Sequence, residues 1–249
     1  MWFAIAAAFG VAFLVHTAPF PFLLDWFNRD RTLWRMPPTG QPPTVYLTFD
    51  DGPNPAATPR LLDLLAHEGV LATFFVIDRH LTHDTAPIVR RMFSAGHAVG
   101  LHSHTRALTL KTPDDLARTL SAAALRIEQL AGRKPCRVFR PHAGWRSVMM
   151  YAGLKRLDYK LAGWGWMLWD WNWYRARTAD AIARRLIKRA RDGDVIVVHD
   201  GHHIDPRADR QYAIDTTALV IPALRKKGFT FGTMCGDGDA SEAVSLSRR

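Results

Sequence analysis

Side chains that bind metals and transfer protons recur at comparable positions along this chain, each directly after a short run of β-branched or aromatic residues. They are Asp50 and Asp51, His102 and His104, Arg140 and His142, Asp170, and His199 and Asp200. Any one of them could be a structural turn or core residue. Because five separate runs are followed in the same way, we interpret the set as the parts of one site.

The adjacent pair Asp50 and Asp51 is the most informative part of this set. Two neighbouring carboxylates repel each other unless a cation or an acid–base function stabilises them, so the pair suggests a metal ligand beside a general base. The surrounding sequence Asp-Asp-Gly-Pro-Asn-Pro is also typical of a turn. These residues alone leave both interpretations open.

The elements that must position these side chains alternate between short strands and helices. This pattern predicts βα units and a mainly parallel sheet, in which the carboxyl ends of the strands converge on one mouth. Thr58, Thr112 and Thr178 are each predicted to cap a helix. The predicted strands are Val45–Phe49, Ala72–Ile77, His97–Leu101, Arg137–Phe139, Lys160–Leu168, Asp194–Val198 and Phe229–Thr233. Seven strands indicate a single α/β domain built as an incompletely closed barrel.

The composition is that of an ordinary globular protein, with 249 residues of which 48% are hydrophobic and 22% charged. The formal net charge of +10 suits an anionic partner, such as a phosphorylated substrate, acidic lipid headgroups or nucleic acid. We expect no nucleic-acid partner, because the basic residues are scattered and no nucleic-acid-binding motif occurs. Cys136 and Cys235 can form one disulfide or remain two buried thiols.

The first 24 residues carry no charged side chain, and about 20 apolar residues suffice for a membrane-spanning helix. We predict an apolar signal-anchor or transmembrane segment over residues 1–27; a cleaved signal peptide and a core or interfacial segment are the alternatives. Arg29, Arg31 and Arg35 follow this segment, and by the positive-inside rule they favour a cytoplasmic position for the rest of the chain. Residues 28–43, which are rich in proline, are predicted to form a stiff extended linker.

The string Thr48-Phe49-Asp50-Asp51-Gly52-Pro53 resembles the first motif of the NodB-type polysaccharide deacetylases, carbohydrate esterase family four. The resemblance implies a distorted seven-stranded (β/α) barrel over residues 44–235, followed by a flexible tail over residues 236–249. It also implies that Asp50 is the catalytic base and that Asp51 binds a divalent metal, Zn²⁺, Co²⁺ or Mn²⁺.

Three further segments are similar to motifs of the same family. Phe139-Arg140-Pro141 followed by Gly144 looks like the third motif, which implies that Arg140 orients the base and that Trp145 lines the substrate groove. The segment from Trp164 to Asp170-Trp171 resembles the fourth, in which the aspartate tunes the catalytic histidine and the tryptophan forms a wall of the pocket. The segment Val195 to Gly201 is similar to the fifth, whose histidine, here His199, is the general acid.

The second motif departs from the family pattern, which has two metal-binding histidines four positions apart on one helical face. Here His102 stands at the first position, but Arg106 stands at the second and has no lone pair to offer a metal. Three interpretations follow: His104 is the other ligand, water and substrate complete a site of Asp51 and His102, or Arg106 replaces the metal as a fixed positive charge. His142 is either an additional ligand or a hydrogen-bonded structural histidine.

The resemblance implies metal-assisted hydrolysis of an N-acetyl or other N-acyl group on an amino sugar of a polysaccharide or lipid-linked saccharide. We also expect Trp145, Trp171 and Arg106 to contact the substrate, the tryptophans by stacking on a sugar ring and Arg106 by stabilising the oxyanion. Such an enzyme is expected to be membrane-anchored in the cell envelope. The side of the membrane stays open, because the arginines favour the cytoplasm and the motifs favour an extracytoplasmic position. The alternative is a catalytically degenerate carbohydrate-binding protein on the same fold. Retention of Asp50, Arg140, Asp170 and His199 argues for the enzyme, because a binding protein has little need of an ordered acid and base.

Overall fold

The structure is a computed structural model that describes residues 2–18, 22–164 and 178–235. Its α-helices are α1 (Trp2–His16), α2 (Phe22–Phe27), α3 (Thr58–Glu68), α4 (Ala86–Ser94), α5 (Pro113–Ala131), α6 (Val148–Arg156), α7 (Ala179–Arg189) and α8 (Gln211–Lys226). Its strands are β1 (Thr17–Ala18), β2 (Thr32–Leu33), β3 (Thr44–Gly52), β4 (Thr73–Ile77), β5 (Ala98–His102), β6 (Val138–Arg140), β7 (Arg146–Ser147), β8 (Lys160–Ala162), β9 (Val195–His199) and β10 (Thr230–Phe231).

Eight of these strands form one curled, parallel sheet in the order β10-β3-β4-β5-β6-β8-β2, with β9 also paired to β3. The start of β3 pairs with β10 and its continuation with β9. Seven of the eight correspond to the predicted strands, so the predicted α/β barrel fold is confirmed. Strand β8 ends at Ala162, whereas the predicted strand continued to Leu168. The part of that prediction beyond residue 164 lies outside the described residues.

The strands of the sheet are apolar in sequence, and the helices around the sheet cover them. All residues of β4 are buried, as are all but the first of β3, which is typical of parallel strands covered on both faces. Two predicted helix caps are confirmed, since Thr112 accepts from the amide of Asp115 and Thr178 from the amide of Ala181. The predicted cap at Thr58 is wrong, because Thr58 is the first residue of α3 and makes no cap bond.

The predicted membrane-spanning segment over residues 1–27 is divided into the 15-residue helix α1, the short strand β1 and the helix α2. Within the described part of the chain, no helix combines the length and the apolar character that a bilayer crossing requires. The transmembrane helix predicted from the sequence is therefore not supported.

Part of the segment 28–43, predicted to be a linker, belongs to the sheet. Strand β2 pairs in parallel with β8, with Thr32 opposite Leu161. Arg35 then forms a bridge to Asp194, and the amide of Met36 donates to the carbonyl of Gly193 at 2.8 Å. This segment therefore lies between β8 and the start of β9 and narrows the gap in the barrel.

A buried hydrogen-bonded cluster holds the segment that precedes β2 against the barrel. The guanidinium of Arg146 donates to both oxygens of Asp25, at 3.0 and 2.8 Å, and only 1% of the Arg146 side chain is exposed. The indole of Trp34 donates to the same carboxylate at 3.0 Å and meets Trp164 edge to face. Bidentate arginine–carboxylate pairs fix geometry strongly, so Asp25 ties α2 to the chain just before α6.

The two cysteines form a disulfide, the first of the two alternatives open from the sequence. Cys136 precedes β6 and Cys235 follows β10, at a sequence separation of 99 and a Cα–Cα distance of 6.3 Å. The bond therefore links the end of the described chain to the middle of the sheet.

Candidate functional site

The strand ends bring five of the predicted site residues to one mouth of the barrel. Asp50 near the end of β3 lies opposite His199, the last residue of β9. His102 ends β5 and lies opposite Arg140, which ends β6. Asp51 follows Asp50 within β3. The predicted residues Asp170 and Trp171 lie outside the described residues.

Asp50 is buried and paired with Arg140. The guanidinium of Arg140 is fully buried and lies 2.5 Å from Asp50 Oδ1. It also donates to the hydroxyl of Thr48 and to the carbonyl of Gly163, both at 2.9 Å, and lies 3.9 Å from the ring centroid of Phe75. Because these contacts fix Arg140 on several sides, the carboxylate of Asp50 is held in one orientation.

The backbone at Asp51 takes a left-handed conformation, with φ of 69°, which is uncommon for a residue other than glycine. Neighbouring groups hold it there: Nδ1 of His80 lies 3.2 Å from the Asp51 carbonyl oxygen, and the amide of Gly201 donates to the Asp50 carbonyl at 3.1 Å. A Cβ on Gly201 would lie 2.0 Å from the Asp51 oxygen, so only glycine fits. This conformation turns the Asp51 side chain toward His102.

The contact between Asp51 and His102 has the chemistry of a metal site. Nδ1 of His102 lies 2.8 Å from the Arg140 carbonyl oxygen, which can only accept, so Nδ1 carries a hydrogen. The other ring nitrogen, Nε2, faces the buried Asp51 Oδ1 at 3.2 Å. A metal ion at this position would bind Nε2 and the Asp51 carboxylate, while the backbone holds Nδ1.

A third ligand comes from His142, in the turn after β6. One ligand atom from each of Asp51, His102 and His142 lies within 4.8 Å of the other two. The amide of His142 donates to the hydroxyl of Ser103 at 2.8 Å, which anchors this turn beside His102. Two imidazoles and one carboxylate are a ligand set suited to Zn²⁺ and similar divalent ions, with a position left for substrate or water.

Burial and neighbouring charges put these ligands in the protonation states that metal binding needs. Burial, followed by the charges of His102 and His203, lowers the pKa of His142 to about 4, so its ring is neutral at pH 7. Burial works to raise the pKa of Asp51, but its hydrogen bond from His102 acts in the other direction and holds that pKa well below its ordinary range.

The structure changes the interpretation of the second motif. His102 ends a strand and Arg106 begins a 3₁₀ helix, so the two do not share a helical face. Arg106 is exposed, and its guanidinium carbon lies 5.5 Å from the ring centroid of Trp145. His104 is half-buried and does not belong to the three-ligand group. His142 is therefore the candidate third ligand, in place of His104, solvent or Arg106.

Asp200 was noted from the sequence without a role, and the structure places it directly beneath the site. Its carboxyl is fully buried and accepts a hydrogen bond from the hydroxyl of Thr58. Burial raises the pKa of Asp200 to about 7, and repulsion from Asp50 and Asp51 acts in the same direction against the Thr58 bond. Thr58 therefore hydrogen-bonds Asp200 and does not form the cap of α3 predicted from the sequence.

The raised pKa of Asp200 predicts a stability difference that depends on pH. The folded protein holds this proton up to about pH 7, whereas the unfolded chain releases it near 3.8. Asp200 therefore stabilises the fold below pH 4, and this contribution is lost as the pH rises through 7. Each pH unit changes the free energy of unfolding by about 1.4 kcal/mol, which gives about 4 kcal/mol across the window.

The matched test compares wild type with Asp200→Asn by urea denaturation between pH 4 and 8, with a chelator present. The variant should gain stability relative to wild type as the pH rises, because other titrating groups cancel in the difference. A difference that stays constant across this range would contradict the buried, protonated state of Asp200.

In the loop after β9, His203 lies beside His142 of the candidate ligand group, and His202 lies beside His203. The ring centroid of His203 lies 4.6 Å from that of His142 and 4.5 Å from that of His202. The sequence indicated only a polar loop over the mouth at these positions, and no spacing signal tied it to His142. His80 was missed altogether, since a single histidine after β4 carries no pattern.

Comparison with known proteins agrees with this geometry. The family model described as polysaccharide deacetylase matches residues 38–162. The chain is 34% identical to a chitooligosaccharide deacetylase of Sinorhizobium fredii over 194 residues, which are 75% of this chain and 88% of that protein.

Two solved structures extend the similarity to the fold. The Bacillus subtilis protein PdaA, a peptidoglycan-N-acetylmuramic acid deacetylase, superposes with a TM-score of 0.72 at 26% identity and 89% coverage of both chains. A family 4 acetyl xylan esterase from Clostridium thermocellum, solved with a cobalt ion, superposes with a TM-score of 0.66 at 30% identity, covering 82% of this chain and 91% of that one.

Proposed function

This chain belongs to the polysaccharide deacetylase family and is a hydrolase of carbon–nitrogen bonds other than peptide bonds, and on that premise we propose that it removes the N-acetyl group from an amino-sugar polymer with the aid of a divalent metal. The observation that carries the proposal is the ligand group of Asp51, His102 and His142 beside the buried pair of Asp50 and Arg140. Relatives that act on chitooligosaccharide and peptidoglycan support a substrate of this class.

The metal is assigned to Asp51, His102 and His142, and Zn²⁺, Co²⁺ or Mn²⁺ would satisfy this ligand set. When bound, such an ion polarises the acyl carbonyl and lowers the pKa of water. Support for the assignment comes from the 3.2 Å approach of His102 Nε2 to the buried Asp51 Oδ1, and from the Arg140 carbonyl oxygen that orients the His102 ring.

Asp50 is the proposed general base, which takes the proton from the attacking water. Arg140 acts as a positioning residue, since its fully buried guanidinium fixes the Asp50 carboxylate at the mouth. The pairing keeps the Asp50 carboxylate oriented, so that its oxygen can meet the attacking water at one point in space.

His199 is the proposed general acid, which gives a proton to the departing amine. Its position opposite Asp50 in the register of β3 and β9 puts acid and base on adjacent strand ends. Asp170 as the residue that tunes His199, and Trp171 as a pocket wall, stay predictions that rest on the family resemblance. Trp145, half-buried in the turn after β6, is proposed to line the substrate groove.

A polymer of this kind fits the cell-envelope location and the lipid-linked alternative predicted from the sequence, both of which stay proposals. The carbohydrate-binding alternative is disfavoured by His142, because a protein without turnover has little need to replace a lost metal ligand.

The deciding experiment measures bound metal by elemental analysis and acetate release from N-acetylglucosamine oligomers in the same preparations. Wild type should bind one divalent ion and release acetate. His142→Ala should lower metal affinity at least 100-fold and lose activity, because one of three protein ligands is removed. Arg106→Ala should keep its metal.

His67→Ala is the matched control, since His67 is exposed near the end of α3. Wild-type protein that binds no metal and releases no acetate would overturn the proposed function. Metal retained in His142→Ala would show instead that the ligand assignment is wrong.

A further inference from the structure

We propose that Arg106 and Trp145 form a subsite for an anionic group, so that the preferred N-acetylated sugar carries a carboxylate or a phosphate close to the acetamide that is hydrolysed. The inference rests on the proposed function and names the substrate class of the same site. It starts from the position of Arg106, which stands where the family places a metal ligand but lies outside the ligand group of this chain.

The position of Arg106 suits ligand binding and not a structural role within the protein. Its side chain is exposed, and among the described residues its guanidinium has no carboxylate partner. The guanidinium carbon lies 5.5 Å from the ring centroid of Trp145, a cation–π contact that restrains the side chain without using its hydrogen-bond donors. The amide of Trp145 donates to the carbonyl of His142 at 3.2 Å, so the contact with Trp145 holds the guanidinium beside the turn that carries His142.

A second arginine adds positive charge near the same residues. Arg79 is exposed, and it donates to the backbone carbonyl of His203. The ring centroid of His203 lies 4.6 Å from that of His142. Arg106 and Arg79 thus place two exposed positive charges near the histidines of the mouth, and a cleft with fixed positive charge attracts anionic substrates.

The chemistry of the pair indicates how the ligand is bound. A guanidinium presents its N–H groups in a planar fork that matches a carboxylate or a phosphate. The face of Trp145 is suited to a sugar ring, because its apolar surface lies beside the charged group. One sugar can thus stack on Trp145 while its anionic substituent contacts Arg106 and its acetamide reaches the metal ligands.

The test measures binding and turnover separately on the full chain with added Zn²⁺. Three ligands differ in one substituent: N-acetylglucosamine, N-acetylmuramic acid with its lactyl carboxylate, and N-acetylglucosamine 1-phosphate. Wild type should bind at least one anionic ligand about tenfold more tightly than the neutral sugar, and the preferred one distinguishes a carboxylate source from a phosphate source. The preference should weaken in 0.5 M salt because the site is exposed to solvent.

Arg106→Gln should abolish this preference and leave binding of the neutral sugar and the metal content unchanged. Arg225→Gln, on the exposed end of α8 where it pairs with Glu68, is the matched control and should behave like wild type. No anionic preference in wild type, or an equal loss for neutral and anionic sugars in Arg106→Gln, would overturn the inference. If preference is seen but no substrate releases acetate, the subsite stands and the proposed function fails.

Discussion

Replacing Asp50 with asparagine is expected to lower kcat by about 10²–10⁴-fold, because an amide cannot accept the proton that a general base removes from water. Asparagine keeps the size of the side chain and can still accept a hydrogen bond from Arg140. The ligands Asp51, His102 and His142 are untouched. Metal content should therefore stay at the wild-type level while acetate release falls.

The matched control is Asp63→Asn, which changes an exposed carboxylate of α3 that pairs with Arg91. Its kcat should equal that of wild type. Metal content and far-UV circular dichroism, recorded for each preparation, separate lost chemistry from lost structure. If kcat for Asp50→Asn stays within threefold of wild type, another residue is the base.

Arg140→Met is expected to lower the free energy of unfolding by about 3–5 kcal/mol, because it leaves the Asp50 carboxylate buried without a counter-ion. The Thr48 hydroxyl and the Gly163 carbonyl lose a donor in the same change. Urea denaturation of wild type and variant measures the loss. Arg140→Lys should lie between them, since one ammonium cannot reproduce the planar fork of the guanidinium.

Arg118→Met is the control for this effect, because the Arg118 side chain is 73% exposed and its ion pair with Asp115 lies at the surface. It should change stability by less than about 0.5 kcal/mol. The pairing itself is measured by adding Asp50→Asn to Arg140→Met: the second change should cost less than it does in wild type. A loss below about 1 kcal/mol for Arg140→Met would show that the buried pair does not hold the mouth together.

The sequence is sufficient to predict the strands in which nearly every residue is buried. Strands β3, β4 and β9 are short apolar, β-branched runs bounded by turn residues, and parallel strands buried on both faces have this composition. Strand β2 could not be predicted in the same way. It is two residues long, it follows a charged turn, and its partner β8 is remote in the chain, so only tertiary pairing makes it a strand.

The site residues also differ in whether the sequence could place them. Residues at strand ends, such as Asp50 and His199, could be placed at one mouth because parallel strands converge there. The identity of the third ligand could not be decided, because it depends on a distance between the ends of β5 and β6. The helical spacing assumed for His102 and Arg106 failed since His102 is still part of a strand, paired to Arg140.

The pairing of the N-terminal segment also sets an order of events during synthesis. Asp25 meets Arg146, 121 positions further along, and β2 joins β8 beyond that. A ribosome releases the first partners long before the second ones exist, so residues 25–33 must wait while the strands between them assemble. Contacts this distant in sequence make folding slow. Docking of the N-terminal segment therefore cannot precede the synthesis of β8, whereas β9, which carries His199, is synthesised later still.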